Sequence, residues 1–308
     1  MNGGENMNGI LPLWKERGMT SHDCVFKLRK ILKTKKIGHT GTLDPEVDGV
    51  LALCVGSATK AAEFMIDMDK SYTGEITLGY TTTTEDAHGE IVEKQAILEM
   101  PSVAEIDKQM ETFLGEITQI PPMYSAVKVN GKRLYEYARK GEAVERPIRI
   151  AKIYSFNRTS EPVMDEEKQT VSWRFEVSCG KGTYVRTLAV NLGEQLGYPA
   201  HMSQLTRTSS GPFNTEDCFT LDQVREIMEE EKIADILRPA ATIFTEYPQF
   251  ELNEALWEKI KNGSVLEAES FPEFEGLIAL HYQNNLVALY ENHPSKPGLV
   301  KPRKMFLA

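Results

Sequence analysis

The feature that most constrains this chain is the segment Ile37-Gly38-His39-Thr40-Gly41-Thr42-Leu43-Asp44-Pro45-Glu46-Val47-Asp48-Gly49-Val50-Leu51. It joins a helical pattern to an apolar run, and core packing demands no such composition. Its glycines let backbone approach a neighbour closely. Asp44 precedes a proline, which biases it toward extended backbone and out of a helix. A carboxylate so placed is either a turn former or a reagent. Taken alone, Asp44 reads better as a turn former, and His39 reads better as a core histidine with satisfied nitrogens.

Size and composition bound the rest. A chain of 308 residues with 41% hydrophobic content suits one large domain and a small one. No stretch approaches the length of a membrane span. Met1 to Gly9 lacks the basic flank and apolar core of a secretory signal. Met7-Asn8-Gly9 echoes Met1-Asn2-Gly3, so Met7 is a second candidate start. Cys24, Cys54, Cys179 and Cys218 have neither zinc nor redox spacing, so the expectation is a reduced cytoplasmic protein without metal.

The net charge of −10 argues against nucleic acid. Its distribution argues the other way. Asp222 to Asp235 is strongly acidic, whereas Lys27 to Lys36 and Lys128 to Lys152 are basic. One basic run alone is a solvated face. Two runs flanking a glycine and histidine loop make a phosphate-tracking surface an equal alternative.

Periodicity organises the chain. Thr20 or Ser21 caps a helix carrying Val25, Leu28, Ile31 and Leu32. Val50 to Val55 and Ser71 to Gly79 read as strands. Val103 to Leu114 is an amphipathic helix, and Asn130-Gly131 marks a tight hairpin before a helix beginning near Tyr135. Trp173 to Cys179 alternates like a strand. After the Gly180-Lys181-Gly182 turn, Val185 to Leu196 follows helical spacing up to Gly197. Lys181, Tyr184 and Arg186 therefore lie at a strand-to-helix junction, where sites are often built. Leu221 to Leu237 reads as one acidic helix with a solvated face. Beyond it, Asn253 caps a short helix ended by Asn262-Gly263, and strands flank Asn284-Asn285. The expected division is a domain over 1–237 and a small β-rich module over 238–308.

Nucleophile elbow, P-loop, dinucleotide fingerprint and metal cluster are all missing from the sequence. A cofactor-free enzyme acting on nucleic acid needs few parts: a nucleophile or acid/base group, an orienting cation, an aromatic platform and a wedge for the gap left by an extruded base. Asp44, Arg186, Tyr72 and His39 match those four roles in order. Arg186 as a surface arginine and Tyr72 as a core aromatic are the plain alternatives.

Ordered motifs then add a resemblance. Gly38-His39-Thr40-Gly41-Thr42-Leu43-Asp44-Pro45 resembles the catalytic loop of bacterial TruB-type tRNA pseudouridine-55 synthases. Gly18-Met19-Thr20-Ser21, Gly56-Ser57-Ala58-Thr59-Lys60, Lys70-Ser71-Tyr72 and Asp86-Ala87-His88-Gly89 resemble further motifs of that family. So do Ile120 to Lys128, Lys132 to Arg139 and Cys179-Gly180-Lys181-Gly182-Thr183-Tyr184-Val185-Arg186-Thr187. The matches keep their order from about Asn8 to Phe219. One motif departs: the family's Lys-Pro-x-Gly is Lys15-Glu16-Arg17-Gly18 here, which is expected to loosen a turn.

The resemblance implies an α+β pseudouridine synthase core. It has a mixed, largely antiparallel sheet flanked by helices, followed by a PUA-like C-terminal domain. It implies isomerisation of uridine 55 in the tRNA T loop, with no cofactor and no metal. Asp44 would be the catalytic aspartate, Arg186 its partner, and Tyr72 the platform on the uracil and a candidate for assisting loss of the C5 proton. His39 would fill the space of the flipped base. Lys60 and Lys181 would contact phosphate, Asp86 and Tyr184 would shape the pocket, and Leu205 would pack near the base. The partner would be tRNA, held at its T arm and, through the C-terminal module, at its acceptor end. The protein is expected to be a monomer without membrane association. A non-catalytic RNA chaperone and a guide-RNA-dependent synthase are the rival classes, and chaperoning beside catalysis stays open.

Overall fold

The computed structural model of the chain describes residues 7–307. Met1, one of the two candidate starts, lies outside them. Contacts divide the chain into two compact units. One holds the chain up to Glu46, Val50–Ile66 and the chain from Gly211 onward, and the other holds Val47–Gly49 and Asp67–Ser210. The first of these units spans both sides of residue 237. The reason is that the first strand pairs with chain that follows residue 210.

In the unit holding Asp67–Ser210, strands Gly115–Gln119, Arg149–Arg158, Thr170–Cys179, Lys70–Leu78 and Ala200–Ser210 lie side by side, all antiparallel. The start of strand Asp48–Val55 joins the far edge in parallel, with Asp48 opposite Thr206 and Gly49 opposite Arg207. The sheet is therefore mixed and largely antiparallel, as expected. Its period is visible in Thr170–Cys179, where Val171, Trp173, Phe175, Val177 and Cys179 are all buried. Each such apolar side chain contributes roughly 1.5–3 kcal/mol when fully buried. Helix Val185–Leu196 buries Leu188, Ala189 and Leu192 and packs on strand Ala200–Ser210. Gly197 ends it in a left-handed conformation, φ 82°.

The other unit begins with strand Gly9–Lys15, buried along nearly its whole length and paired with strand Asp48–Val55. Ile10 N–H donates to the Arg238 carbonyl at 2.7 Å and Trp14 N–H to that of Phe219 at 2.9 Å. Helix Ser21–Ile31 starts in a reciprocal capping box between Thr20 and Asp23. It packs on helix Leu221–Glu229. The single acidic helix expected over Leu221–Leu237 is in fact two, Leu221–Glu229 and Ile233–Ile236. Glu231 between them is left-handed, φ 60°, so the run of three glutamates breaks the helix rather than lying inside it.

The C-terminal part of this unit is a five-stranded sheet ordered Gln249–Glu251, Leu277–Tyr282, Asn285–Asn292, Leu299–Met305 and Leu266–Glu267. Ile260, Ile278, Leu280, Ala288, Tyr290 and Val300 form its core. Its central turn lies at Gln283-Asn284, both with positive φ, one residue earlier than the asparagine pair suggested. Among the described residues, no helix is long and apolar enough to cross a membrane.

Candidate active site

The opening loop is built by its neighbours. Strand Ile37–His39 pairs with the end of strand Asp48–Val55, placing His39 opposite Leu53. Thr40 is wholly buried, and its hydroxyl donates to the Ala52 carbonyl at 3.0 Å. His39 is thus half-buried at the mouth of the loop, beside a residue that cannot move. Arg29 ties the other end down by donating to the Ile37 carbonyl at 3.1 Å.

Asp44 is half-buried, and both its neighbours are anchored. Before it, Leu43 N–H donates to Ser21 Oγ at 2.9 Å. After it, the Pro45 carbonyl accepts from Gly18 N–H at 2.9 Å and from Lys15 Nζ at 3.1 Å. Lys15 is fully buried, and it also donates to the carbonyls of Met19 at 2.7 Å and Glu16 at 3.0 Å. A buried ammonium is costly unless its donors are used, and these three bonds use them. The turn without the family's proline is therefore not loose, because Gly18 at φ 80° and Lys15 hold it together. The motif at Lys15 was legible, but the contact with Pro45 was not. Its signal is a cation closing an apolar strand.

One loop glycine has a reason other than ligand approach. A Cβ on Gly49, φ 119°, would lie 2.2 Å from the Arg207 carbonyl oxygen. It is the sheet's own parallel pairing that excludes a side chain there.

Tyr72 sits on strand Lys70–Leu78, directly between Val177 on one side and Arg207 on the other. Cross-strand partners share a face, so its ring lies on the same side as buried Val177 and Arg207, and Leu205 is its diagonal neighbour opposite Gly74. The structure thus brings Tyr72 and Leu205 together. Lys70, two residues earlier on that face, is buried and its ammonium is pushed down to about 8 by desolvation and by Arg207.

Tyr184 precedes helix Val185–Leu196. Its backbone N–H donates to Gln119 Oε1 at 2.9 Å, and its carbonyl accepts from Gln119 Nε2 at 3.1 Å. This double bond fixes where the helix starts, and hence where Arg186 points. Arg186 is 6% exposed. Its guanidinium donates to the Thr84 carbonyl at 2.8 Å and the Tyr124 carbonyl at 2.9 Å. Thr84 in turn donates its hydroxyl to Asp86 Oδ1 at 2.6 Å, and His88 N–H reaches the same oxygen at 2.9 Å. Arg186 and Asp86 are therefore linked through Thr84. Gln119, Thr84 and Tyr124 carry no reading in the sequence, because their partners lie from 62 to 102 positions away.

The two lysines differ. Lys181 pairs with Asp67 at 2.9 Å on the open surface, a contact worth little and easily exchanged for phosphate. Lys60 instead donates to the Leu307 carbonyl at 3.0 Å. That bond occupies a donor of a side chain expected to meet phosphate. The basic C-terminal strand is also engaged within its unit: Arg303 and Lys304 reach Glu63 at 3.0 and 2.6 Å, and Lys301 reaches Glu291 at 3.1 Å. By contrast, Lys128 and Arg133 stand exposed on the Asn130-Gly131 hairpin, and Arg133 and Arg139 both lie over the Tyr135 ring.

Comparison with known proteins bears directly on this arrangement. The model of the TruB family pseudouridylate synthase N-terminal domain matches residues 29–185, and that of the tRNA pseudouridylate synthase B C-terminal domain matches residues 186–245. A protein of Halalkalibacterium halodurans named tRNA pseudouridine synthase B is 54% identical over 97% of this chain and 98% of its own. A protein of Bacillus pumilus with that name is 51% identical over 97% of both. Among solved structures, one titled as a Cbf5-Nop10-Gar1 complex matches with TM-score 0.72 and 26% identity, covering 97% of this chain and 85% of that one. Another, titled as an H/ACA RNP bound to a substrate RNA containing 2′-deoxyuridine, matches with TM-score 0.70 and 25% identity, covering 97% and 85%. The chain belongs to the TruB family of pseudouridylate synthases.

Proposed function

We propose that this isomerase acts on tRNA, converting uridine 55 of the T loop to pseudouridine as a stand-alone enzyme. The observation that carries the reading is the likeness, along nearly the whole of both chains, to bacterial proteins named tRNA pseudouridine synthase B. The doubly anchored Asp44 loop supports it from the chemistry. A reagent carboxylate needs a fixed backbone, and here Leu43 and Pro45 are both held.

The reaction breaks the bond from N1 to C1′ and forms one from C5 to C1′. The C5 proton leaves and N1 gains one, so no energy source or redox partner is needed. Asp44 begins it as a carboxylate, by adding to the nucleotide or by taking the 2′ proton. Arg186 is the cation that serves Asp44 in the reaction. Tyr72 stacks on the extruded uracil, with Leu205 beside it, and assists loss of the C5 proton. His39 fills the space the base leaves. Lys181 meets phosphate by giving up Asp67, and the exposed hairpin at Asn130 closes on the RNA. The module after residue 238 touches the acceptor end of the tRNA.

Recognition rests on shape and phosphate, as is usual for folded RNA. The test is Asp44→Asn assayed on a T-arm transcript by pseudouridine-specific chemical modification. Turnover should fall by a factor of about 1,000 or more, with RNA binding and thermal unfolding little changed. Turnover near wild type would remove Asp44 from the reaction.

A further inference from the structure

The turn Thr84-Glu85-Asp86 carries a residue with no part in the proposed function. Glu85 has a left-handed backbone, φ 63°, which a non-glycine residue adopts at a cost. Three bonds hold it there. Its N–H donates to the Thr82 carbonyl at 3.2 Å, its carbonyl accepts from Met202 N–H at 3.1 Å, and its carboxylate accepts from Thr187 Oγ at 2.7 Å. Gly89 closes the turn so tightly that a Cβ there would lie 2.4 Å from Thr84 Oγ.

The carboxyl of Glu85 is pushed up by burial, while Thr187, Arg186 and Arg146 favour its charged form. An expensive backbone and a poorly solvated carboxyl have been placed one residue from the carbonyl that Arg186 grips. Thr187 follows Arg186 directly in the first turn of helix Val185–Leu196. Two consecutive helix residues thus grip two consecutive turn residues: Arg186 takes the Thr84 carbonyl, and Thr187 takes the Glu85 carboxylate.

We infer that Glu85, latched by Thr187, is a positioning residue for Arg186. Without the latch, this left-handed turn keeps only its bonds to Thr82 and Met202, so the Thr84 carbonyl shifts and weakens one carbonyl support of the guanidinium. Glu85 acts only through Arg186 and touches no reacting atom. The inference rests on the reading of Arg186 as the cation that serves the catalytic carboxylate.

The experiment compares Thr187→Val, which keeps the shape and loses the hydroxyl, with Thr187→Ser, which keeps the hydroxyl. Both are measured on the T-arm transcript for kcat and KM, alongside Arg186→Lys. Thr187→Val should lower kcat about tenfold, as for one lost hydrogen bond, with KM unchanged, and Thr187→Ser should restore it. A Thr187→Val enzyme with wild-type kcat, or a loss that Thr187→Ser does not rescue, overturns the latch. Arg186→Lys separates the two readings. If it keeps full kcat, the role of Arg186 itself is wrong. If it is slow while Thr187→Val is not, only the latch is wrong.

Discussion

The Asp44 loop and the Thr82–Gly89 turn hold charged side chains in opposite ways. In the loop, the fixed points are backbone atoms of Leu43 and Pro45, gripped by Ser21, Gly18 and Lys15. In the turn, the charged side chains bear the bonds themselves: Asp86 accepts two, Glu85 one, and Arg186 gives two to carbonyls. The first design fixes the backbone on both sides of a carboxylate. The second makes position and bonding the same thing. With the backbone on both sides of Asp44 anchored, a substitution there should change chemistry more than structure, whereas one at Arg186 should change chemistry and local structure together.

Four outcomes would break or sharpen that contrast. The largest is Asp44→Asn, which should abolish turnover with the unfolding midpoint unmoved. A large fall in the midpoint would show that the carboxylate itself holds the loop. Next, Arg186→Lys loses the planar fork that reaches two carbonyls. Bonds from a charged donor are worth about 1.5–3 kcal/mol each, so kcat should fall roughly 10- to 100-fold and stability should fall with it. Unchanged stability would contradict the coupling. Third, Lys15→Met should cost about 1–3 kcal/mol in urea unfolding through carbonyls left without a donor, and turnover should fall as the loop loosens. Full turnover in the folded fraction would mean that Ser21 and Gly18 suffice.

The smallest effect concerns pH. His201 donates from Nδ1 to the Tyr80 carbonyl at 3.0 Å, lies tilted against the Tyr80 ring, and is held below its usual range by burial. Its pKa is higher in the unfolded chain, so the unfolded chain takes the proton first as pH falls. Stability should then decline below about pH 6.5 by at most about 1.4 kcal/mol per pH unit. His201→Gln should flatten that slope. An unchanged slope would assign it to other groups.

Local pattern was legible in the sequence, and long-range pairing was not. The Thr20 cap, the alternating strand ending at Cys179 and the helix ended by Gly197 were all readable, because each depends on residues within one turn or one strand. Asp44, Tyr72 and Arg186 were singled out by motif. The hold of Lys15 on Pro45 spans 30 positions and that of Thr187 on Glu85 spans 102, and no periodicity reports such a pair. Two local readings also needed correction. The segment Leu221–Leu237 reads as one acidic helix, yet Glu231 turns the chain. Lys60 was expected to meet phosphate, yet its ammonium donates to the Leu307 carbonyl. A count of positive residues does not say which of them are already engaged.

The strand Gly9–Lys15 has a consequence for how the protein is made. One edge of it is bonded to Phe219 and Arg238, both in chain synthesised much later. At about 5–20 residues per second, the ribosome needs tens of seconds to deliver those partners after the strand emerges. Over that interval an apolar strand waits with an open edge, which is the kind of surface that attracts misassembly. The ammonium that grips Pro45 closes this same strand. The residues that grip the Asp44 loop, Lys15, Gly18 and Ser21, are all made before it, but the strand that ends in Lys15 waits for partners made much later.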